Sequence, residues 1–328
     1  MIRVIAEIGS VHDGSFGNAL RLIDAAAEAG ADTVKFQTHI AEAESLADAP
    51  APGYFSDEPR IAYFRRTGFA PEQWRKLAAH AASRRVTFLS SPFSLEAVDL
   101  LEQVGVQAYK VPSGEVSNLP LLERIARTGK PTLLSSGMSD WKELDRAVAV
   151  LKPACALTVL QCSSEYPCAP EHVGLNVIGE MRARYGVPVG FSDHTLGFAA
   201  AFAAAALGAT VVEKHFTFSR RMYGSDAKNS MEPEDFAVLC RGLHEVWRMA
   251  AHPVDKSDAR PYAEMKRIFE KSVVTARALK AGTVLARDML AFKKPGDGIP
   301  AAEYGALIGR KLRADLPADH KLARSDLA

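Results

Sequence analysis

The chain has few features that would tie it to a membrane, an oxidising compartment or a nucleic acid. No run of about 18 apolar residues occurs, so no segment reads as a membrane span. The four cysteines, Cys155, Cys162, Cys168 and Cys240, form no C-x-x-C pair. A chain of 328 residues buries enough surface without disulfide staples, so these thiols read as buried or bystander groups. Lys and Arg number 40 against 39 Asp and Glu. No basic excess is left to attract nucleic acid. Walker, Rossmann and zinc-finger spacings are missing, and Gly296-Asp-Gly298 is no phosphate loop. The opening Met1-Ile-Arg-Val-Ile-Ala-Glu7 reads as a strand, because Glu7 interrupts an apolar stretch too short for a signal peptide. The expected location is the cytoplasm.

What the chain does have is alternation. Apolar runs at residues 3–9, 32–37, 86–91, 108–111, 131–135, 157–162, 187–192 and 210–215 read as eight strands. Amphipathic stretches at 18–29, 95–104, 119–128, 141–151, 177–185, 198–207 and 233–249 read as helices between them. Parallel strands need crossover connections, so this order predicts a parallel sheet. Eight units in around 250 residues predict an α/β fold of the closed (β/α)8 TIM-barrel type. An open doubly wound sheet is the alternative, but the Gly-rich turn it commonly carries is missing after the first strand. The stretch 40–68, with Ala49-Pro-Ala-Pro-Gly53, is long for a connection and reads as a lid over the rim. The barrel is expected over 1–251, a polar linker with two prolines over 252–270, and a small β-rich module over 271–328. A module of that size needs a partner surface to be stable.

Each strand ends in polar or ionisable residues. The ends carry Glu7 with His12; Lys35, Gln37 and His39; Ser90 and Ser91; Lys110, Ser113 and Glu115; Ser135; Gln161, Ser164 and Tyr166; Ser192 and His194; Glu213 and His215. A barrel enzyme keeps its chemistry at this rim. Lysines with small hydroxyls and loop amides suit a bound phosphate. Two imidazoles one strand–helix unit apart, His194 and His215, suit a divalent metal. Glu7 sits within an apolar strand, where a carboxylate is either paired or used in proton transfer. His80, His172, His244, His252 and His320 fall on helices or linkers and read as surface residues.

Several ordered motifs resemble the sialic acid synthase family. They are Ala6-Glu-Ile-Gly9 with His12-Asp-Gly14, Val34-Lys-Phe-Gln-Thr-His39, Ser91-Pro-Phe-Ser94, Tyr109-Lys-Val-Pro-Ser-Gly-Glu115, Leu134-Ser-Ser-Gly-Met138, Gly190-Phe-Ser-Asp-His-Thr195 and Glu213-Lys-His-Phe-Thr217. The segment from Glu270-Lys-Ser-Val-Val274 to Lys293-Lys-Pro-Gly-Asp-Gly298 is similar to that family's antifreeze-like (SAF) domain. The resemblance implies condensation of phosphoenolpyruvate with an N-acetylated mannose-type sugar to give a nonulosonic acid and phosphate. It implies a metal, usually manganese with magnesium or cobalt as substitutes, held by His194 and His215. It implies phosphoenolpyruvate contacts at Lys35, Gln37, Lys110, Ser113, Ser135 and Ser192, and an essential carboxylate at Glu7. It implies sugar contacts at Tyr166, Asp226 and Lys294, with Ser91, Glu115 and Ser164 as further substrate-facing positions. It also implies a homodimer in which each small domain covers the partner's barrel mouth.

Four departures stand out. Val11 and Ser164 replace asparagines, Lys294-Pro-Gly replaces Arg-Pro-Gly, and the loop 221–233 differs. Lysine makes no bidentate fork, so these changes bear on the sugar more than on phosphoenolpyruvate. N-acetylmannosamine is the default acceptor, and a diacetamido-trideoxy mannose, giving legionaminic acid, is the alternative. A catalytically inactive sugar-binding homologue and a lysine Schiff-base aldolase are the readings from other classes.

Overall fold

The computed structural model describes residues 1–50 and 58–328. Two compact units emerge, Met1–His252 and Pro253–Ala328. In the first, eight strands run β1 (Arg3–Gly9), β2 (Thr33–Thr38), β3 (Thr87–Pro92), β4 (Tyr109–Val111), β5 (Thr132–Ser135), β6 (Leu157–Cys162), β7 (Val189–Asp193) and β8 (Val211–His215). Their ladders are all parallel, in the order β3-β2-β1-β8-β7-β6-β5-β4. The terminal pair β3 and β4 lie in contact, which closes the ring. The predicted TIM barrel is therefore the observed one.

The period of two along a strand explains the interior. Ile5, Leu89, Leu133, Leu160 and Val211 form an apolar plug inside the ring, with Ala108 packed against it. Thr33 and Gly190 stand at the same level of β2 and β7. A Cβ on Gly190 would lie 2.4 Å from Leu160 Cδ2, so only glycine fits there. Two residues further along each strand the same inward face carries Glu7, Lys35, Ser91, Lys110, Ser135, Cys162, Ser192 and Glu213. An apolar floor thus supports a polar layer, and the site follows from strand geometry alone. The alternate residues, among them Val4, Ala6, Val34, Phe36, Val159 and Val212, pack outward into the main core against the helices.

Helix Pro71–Ser83 was not anticipated from the sequence. It starts with Pro at its first turn and buries Trp74, Leu77 and Ala81 at helical spacing. Trp74 meets the rings of Phe36, Phe69 and Phe88 at 6.0, 5.2 and 6.3 Å. Trp74→Ala should cost about 3–5 kcal/mol of unfolding free energy. Urea denaturation measures this, and an unchanged midpoint would show that the cluster contributes nothing. The stretch read as a lid falls partly on residues 51–57, outside the described residues. Its described flanks contain the helices Ala41–Glu44 and Arg60–Thr67.

The second unit has an antiparallel pair, β9 (Ser272–Thr275) and β10 (Leu290–Lys293). It has an apolar cluster of its own, with Val273, Leu279, Leu285, Leu290, Leu312 and Leu322 among its members. The 252–270 stretch is not the plain linker expected. It contains a helix, Ala263–Phe269, because the run Ala-Glu-Met-Lys-Arg-Ile-Phe is made largely of good helix formers. Among the described residues no helix is long and apolar enough to cross a membrane.

Candidate active site

A cavity of about 460 Å³ opens at the C-terminal ends of the barrel strands. Its lining includes Glu7, Lys35, Gln37, Lys110, Ser113, Ser135, Ser164, Tyr166, Ser192, His194, His215 and Asp226. Twelve sequence-chosen residues from seven different strand ends thus meet in one place. Ser91, Glu115 and Lys294 are not part of this lining. Ser91 is buried behind Lys35 and accepts a hydrogen bond from its Nζ at 3.2 Å. Glu115 is turned into its own 3-10 turn, where Asn118 Nδ2 donates to it at 2.7 Å. Lys294 belongs to the second unit, with its Nζ 4.9 Å from the Phe269 ring centroid.

The floor is a zigzag of four buried charges. Lys35 Nζ lies 2.9 Å from Glu7 Oε2 and 3.9 Å from Glu213 Oε1, and Lys110 Nζ lies 3.4 Å from the same Glu213 oxygen. Ser192 donates to Glu213 Oε1 at 3.1 Å. Burial opposes the charge on Lys35, but Glu213 and Glu7 outweigh it and lift its pKa above that of an ordinary lysine. Lys110 goes the other way, pushed down by burial despite Glu213. Burial also opposes ionisation of Glu213, yet Lys110 and Lys35 hold its carboxyl below the usual range. Desolvating four charges is costly, and well-packed apolar residues would serve stability as well or better. Such a cluster in a cleft therefore points to function. Within the floor, Ser135 Oγ and Glu213 Oε2 lack hydrogen-bond partners, as buried groups rarely do in a finished core.

One wall holds the two imidazoles, with ring centroids 5.5 Å apart. His194 Nδ1 lies 2.8 Å from the Ser163 carbonyl. A carbonyl only accepts, so Nδ1 carries the hydrogen and Nε2 is the nitrogen that could hold an ion. Burial works against the charged ring, but Cys162 and the Ser163 carbonyl outweigh it and raise the His194 pKa. His215 Nδ1 is buried without a hydrogen-bond partner, and Asp226 Oδ2 stands 3.9 Å from it. Burial pushes the His215 pKa down. On the far face of the same strands Lys214 Nζ donates to Asp193 Oδ2 at 2.7 Å, tying β7 to β8 one residue before each histidine. Gly9, at φ +53°, lets Asp226 approach: a Cβ there would lie 2.8 Å from its Oδ2. His194 and His215, beside the Asp226 carboxylate, are the groups here that could hold a divalent ion. Among the described residues no group of three or more His, Cys, Asp or Glu that could hold one is present.

The rim inventory placed His12 beside the site, but the structure buries it in the β1 turn. Its Nδ1 accepts from the Gly14 amide at 3.1 Å, and its ring packs on Phe69 at 4.6 Å. Burial, then His39, pushes its pKa from 6.5 to about 4. A depressed folded-state pKa means stability is fully present above pH 6.5 and lost as pH falls toward about 4. The loss should reach about 3 kcal/mol. His12→Phe should flatten that limb of the stability–pH curve measured by denaturant unfolding, and an unaltered limb would exclude His12 as its source.

The sequence places Glu213 at the rim without a role and leaves Cys162 a bystander, and it gives no sign of Arg60, Phe64, Phe93 or Met138; all six line the cavity. Glu213 had a signal, an acid inside the apolar run Val211-Val-Glu-Lys-His215. Arg60 and Phe64 had none, because a helix as polar as Arg60–Thr67 shows little apolar periodicity.

Fold and cavity together define a parallel-barrel protein with a floor of buried paired charges and an imidazole pair at its rim. The chain belongs to the NeuB family, whose model matches residues 22–255, and a SAF domain follows at 270–328. It is 35% identical to the N,N'-diacetyllegionaminic acid synthase of Campylobacter jejuni, over 94% of each chain. It is 34% identical to the human N-acetylneuraminate-9-phosphate synthase, over 96% of this chain and 90% of that one. The crystal structure of an N-acetylneuraminic acid synthetase from Leptospira borgpetersenii superposes with a TM-score of 0.72 at 28% identity, covering 81% of this chain and 90% of that one.

Proposed function

We propose that this protein condenses phosphoenolpyruvate with an N-acetylated mannose-type sugar and water, giving a nonulosonic acid and phosphate. N-acetylmannosamine is the leading acceptor. The observation that carries the reading is the meeting of the Glu7–Lys35–Glu213–Lys110 floor with the His194–His215 pair in one cavity. Lys35 and Lys110, with the hydroxyls of Ser113, Ser135 and Ser192, would hold the carboxylate and phosphate of phosphoenolpyruvate. A divalent ion on His194 and His215, manganese first, would polarise the sugar aldehyde as a Lewis acid. The enol carbon of phosphoenolpyruvate forms the new bond to the aldehyde carbon. The aldehyde oxygen takes up a proton and becomes a hydroxyl. Water adds at C2 and Glu7 accepts one of its protons; the C2–O bond to phosphate then breaks, its electron pair leaving with the bridging oxygen, and the remaining C2 hydroxyl gives up its proton, to the departing phosphate, as the keto group forms.

The identity to a legionaminic acid synthase and Lys294 in place of arginine favour a second acceptor, a diacetamido-trideoxy mannose. Phosphate release with phosphoenolpyruvate, manganese and each sugar separates the two. Release with neither sugar would refute the reading and favour a binding homologue. A homodimer belongs to the same reading, and light scattering at micromolar concentration tests it.

A further inference from the structure

Beyond the charged floor, a line of hydrogen bonds leads away from Glu7 to a buried pair. Gln37 Nε2 donates to Glu7 Oε1 at 2.8 Å. Gln37 Oε1 faces His39 Nε2 at 3.1 Å. His39 Nδ1 lies 2.9 Å from both carboxylate oxygens of Glu44. Both side chains of this pair are 4% exposed. The His39 ring is held between Phe64 and Phe93, with centroids at 3.8 and 4.1 Å and planes within 15° and 20° of parallel.

Donor and acceptor counting fixes the protons. An ionised Glu7 only accepts, so Gln37 must offer its Nε2–H to it and its carbonyl oxygen to His39. That oxygen accepts, so His39 Nε2 donates. The Glu44 carboxylate stands against His39 Nδ1 and holds the ring from its other side.

We propose that the His39–Glu44 pair is a positioning element that, through Gln37, holds the Glu7 carboxylate against Lys35. It rests on the reading of Glu7 as the proton acceptor above. Without a donor at His39 Nε2 the Gln37 oxygen loses its partner, the amide is free to turn, and Glu7 loses its donor. The groups that face His39 are Glu44, Arg60 at 5.3 Å from the Phe64 ring centroid, and His12 on the β1 turn. Glu115 senses Glu44 from the turn after β4. Glu44 alone among these makes an ion pair with His39.

Three variants test the element with phosphoenolpyruvate and the acceptor. His39→Phe keeps the stack and removes both ring nitrogens; kcat should fall about 10–100-fold while the phosphoenolpyruvate KM changes less than about threefold. His39→Gln restores a donor to Gln37 and should recover activity. Glu44→Gln should lower kcat less than His39→Phe does and leave the phosphoenolpyruvate KM unchanged. A His39→Phe enzyme with wild-type kcat would overturn the proposal. So would a loss of activity in His39→Phe that follows its melting temperature and that His39→Gln does not rescue. Imidazole nitrogen NMR of the wild type gives a readout independent of turnover. A hydrogen on His39 Nε2 supports the relay, and a bare Nε2 overturns it. A hydrogen-bearing Nε2 in a protein without phosphoenolpyruvate turnover would uphold the relay and sink the functional reading instead.

Discussion

Replacing Glu7 by glutamine should lower kcat by about a hundred- to ten-thousandfold, the range that a general base supplies. The substitution keeps the shape and volume of the side chain. Glu7 is 1% exposed and is flanked by Lys35 Nζ at 2.9 Å and Gln37 Nε2 at 2.8 Å. An amide can still accept from one of these neighbours, but it cannot take a proton from water. The loss should therefore appear in kcat rather than in binding. Lys35 would keep only Glu213, at 3.9 Å, as a counter-charge. Affinity for the dianionic phosphoenolpyruvate should be maintained or improved, because less carboxylate competes for the ammonium. Steady-state phosphate release and calorimetric phosphoenolpyruvate binding measure the two parts. A kcat within about fivefold of wild type would remove Glu7 from the proton-transfer role, and a parallel collapse of binding would reassign it to holding Lys35.

His215→Ala should abolish metal-dependent turnover, by about a thousandfold or more, since a Lewis acid contributes several kcal/mol to a charged transition state. The ring of His215 is buried and its Nδ1 makes no hydrogen bond, so its removal breaks none at that nitrogen, although Asp226 stands 3.9 Å away and Tyr166 and His194 pack on the ring. That sets it apart from His194, whose Nδ1 is anchored on the Ser163 carbonyl. Melting temperature should consequently change little in His215→Ala and more in His194→Ala. Manganese binding by calorimetry and turnover after chelation and re-addition give the readouts. Unchanged metal stoichiometry in His215→Ala would take the ion away from this pair, and unchanged turnover after chelation would take it out of the reaction.

The charged floor also explains why the two predictions differ in kind. Its four charges sum to zero, two lysines against Glu7 and Glu213. A variant there alters the balance that an arriving anion meets. The histidines lie one layer higher, two residues beyond Ser192 and Glu213, His194 just past the end of β7 and His215 at the end of β8. In the proposed reaction they would serve the acceptor, while His215 still feels Glu7 and Lys35 and acts on Glu213.

Much of this was readable in one dimension. Apolar runs separated by amphipathic stretches specify a parallel barrel, because buried parallel strands must be apolar on both faces and need helical crossovers. Strands 3–9 and 157–162 and helices 95–104 and 141–151 have the boundaries expected of them. The polar rim was equally plain, since an ionisable residue closing an apolar run is conspicuous. The helix Pro71–Ser83 carried a readable signal in Trp74, Leu77 and Ala81, but it adjoins a long connection that drew attention to itself as a lid.

By itself, then, the sequence determined the alternation, the rim and the residue types that meet there. These are local properties, set by side-chain period and hydrophobicity. Only the tertiary structure decided which rim residues share a cavity and which turn away. Ser91 lies behind Lys35, Glu115 folds back on its own turn, and Glu213 becomes the link between two lysines. Barrel closure decides these matters, because it sets distances between residues far apart in the chain. The same closure lays Phe64 and Phe93 on His39 and so completes the line from Glu44 to Glu7.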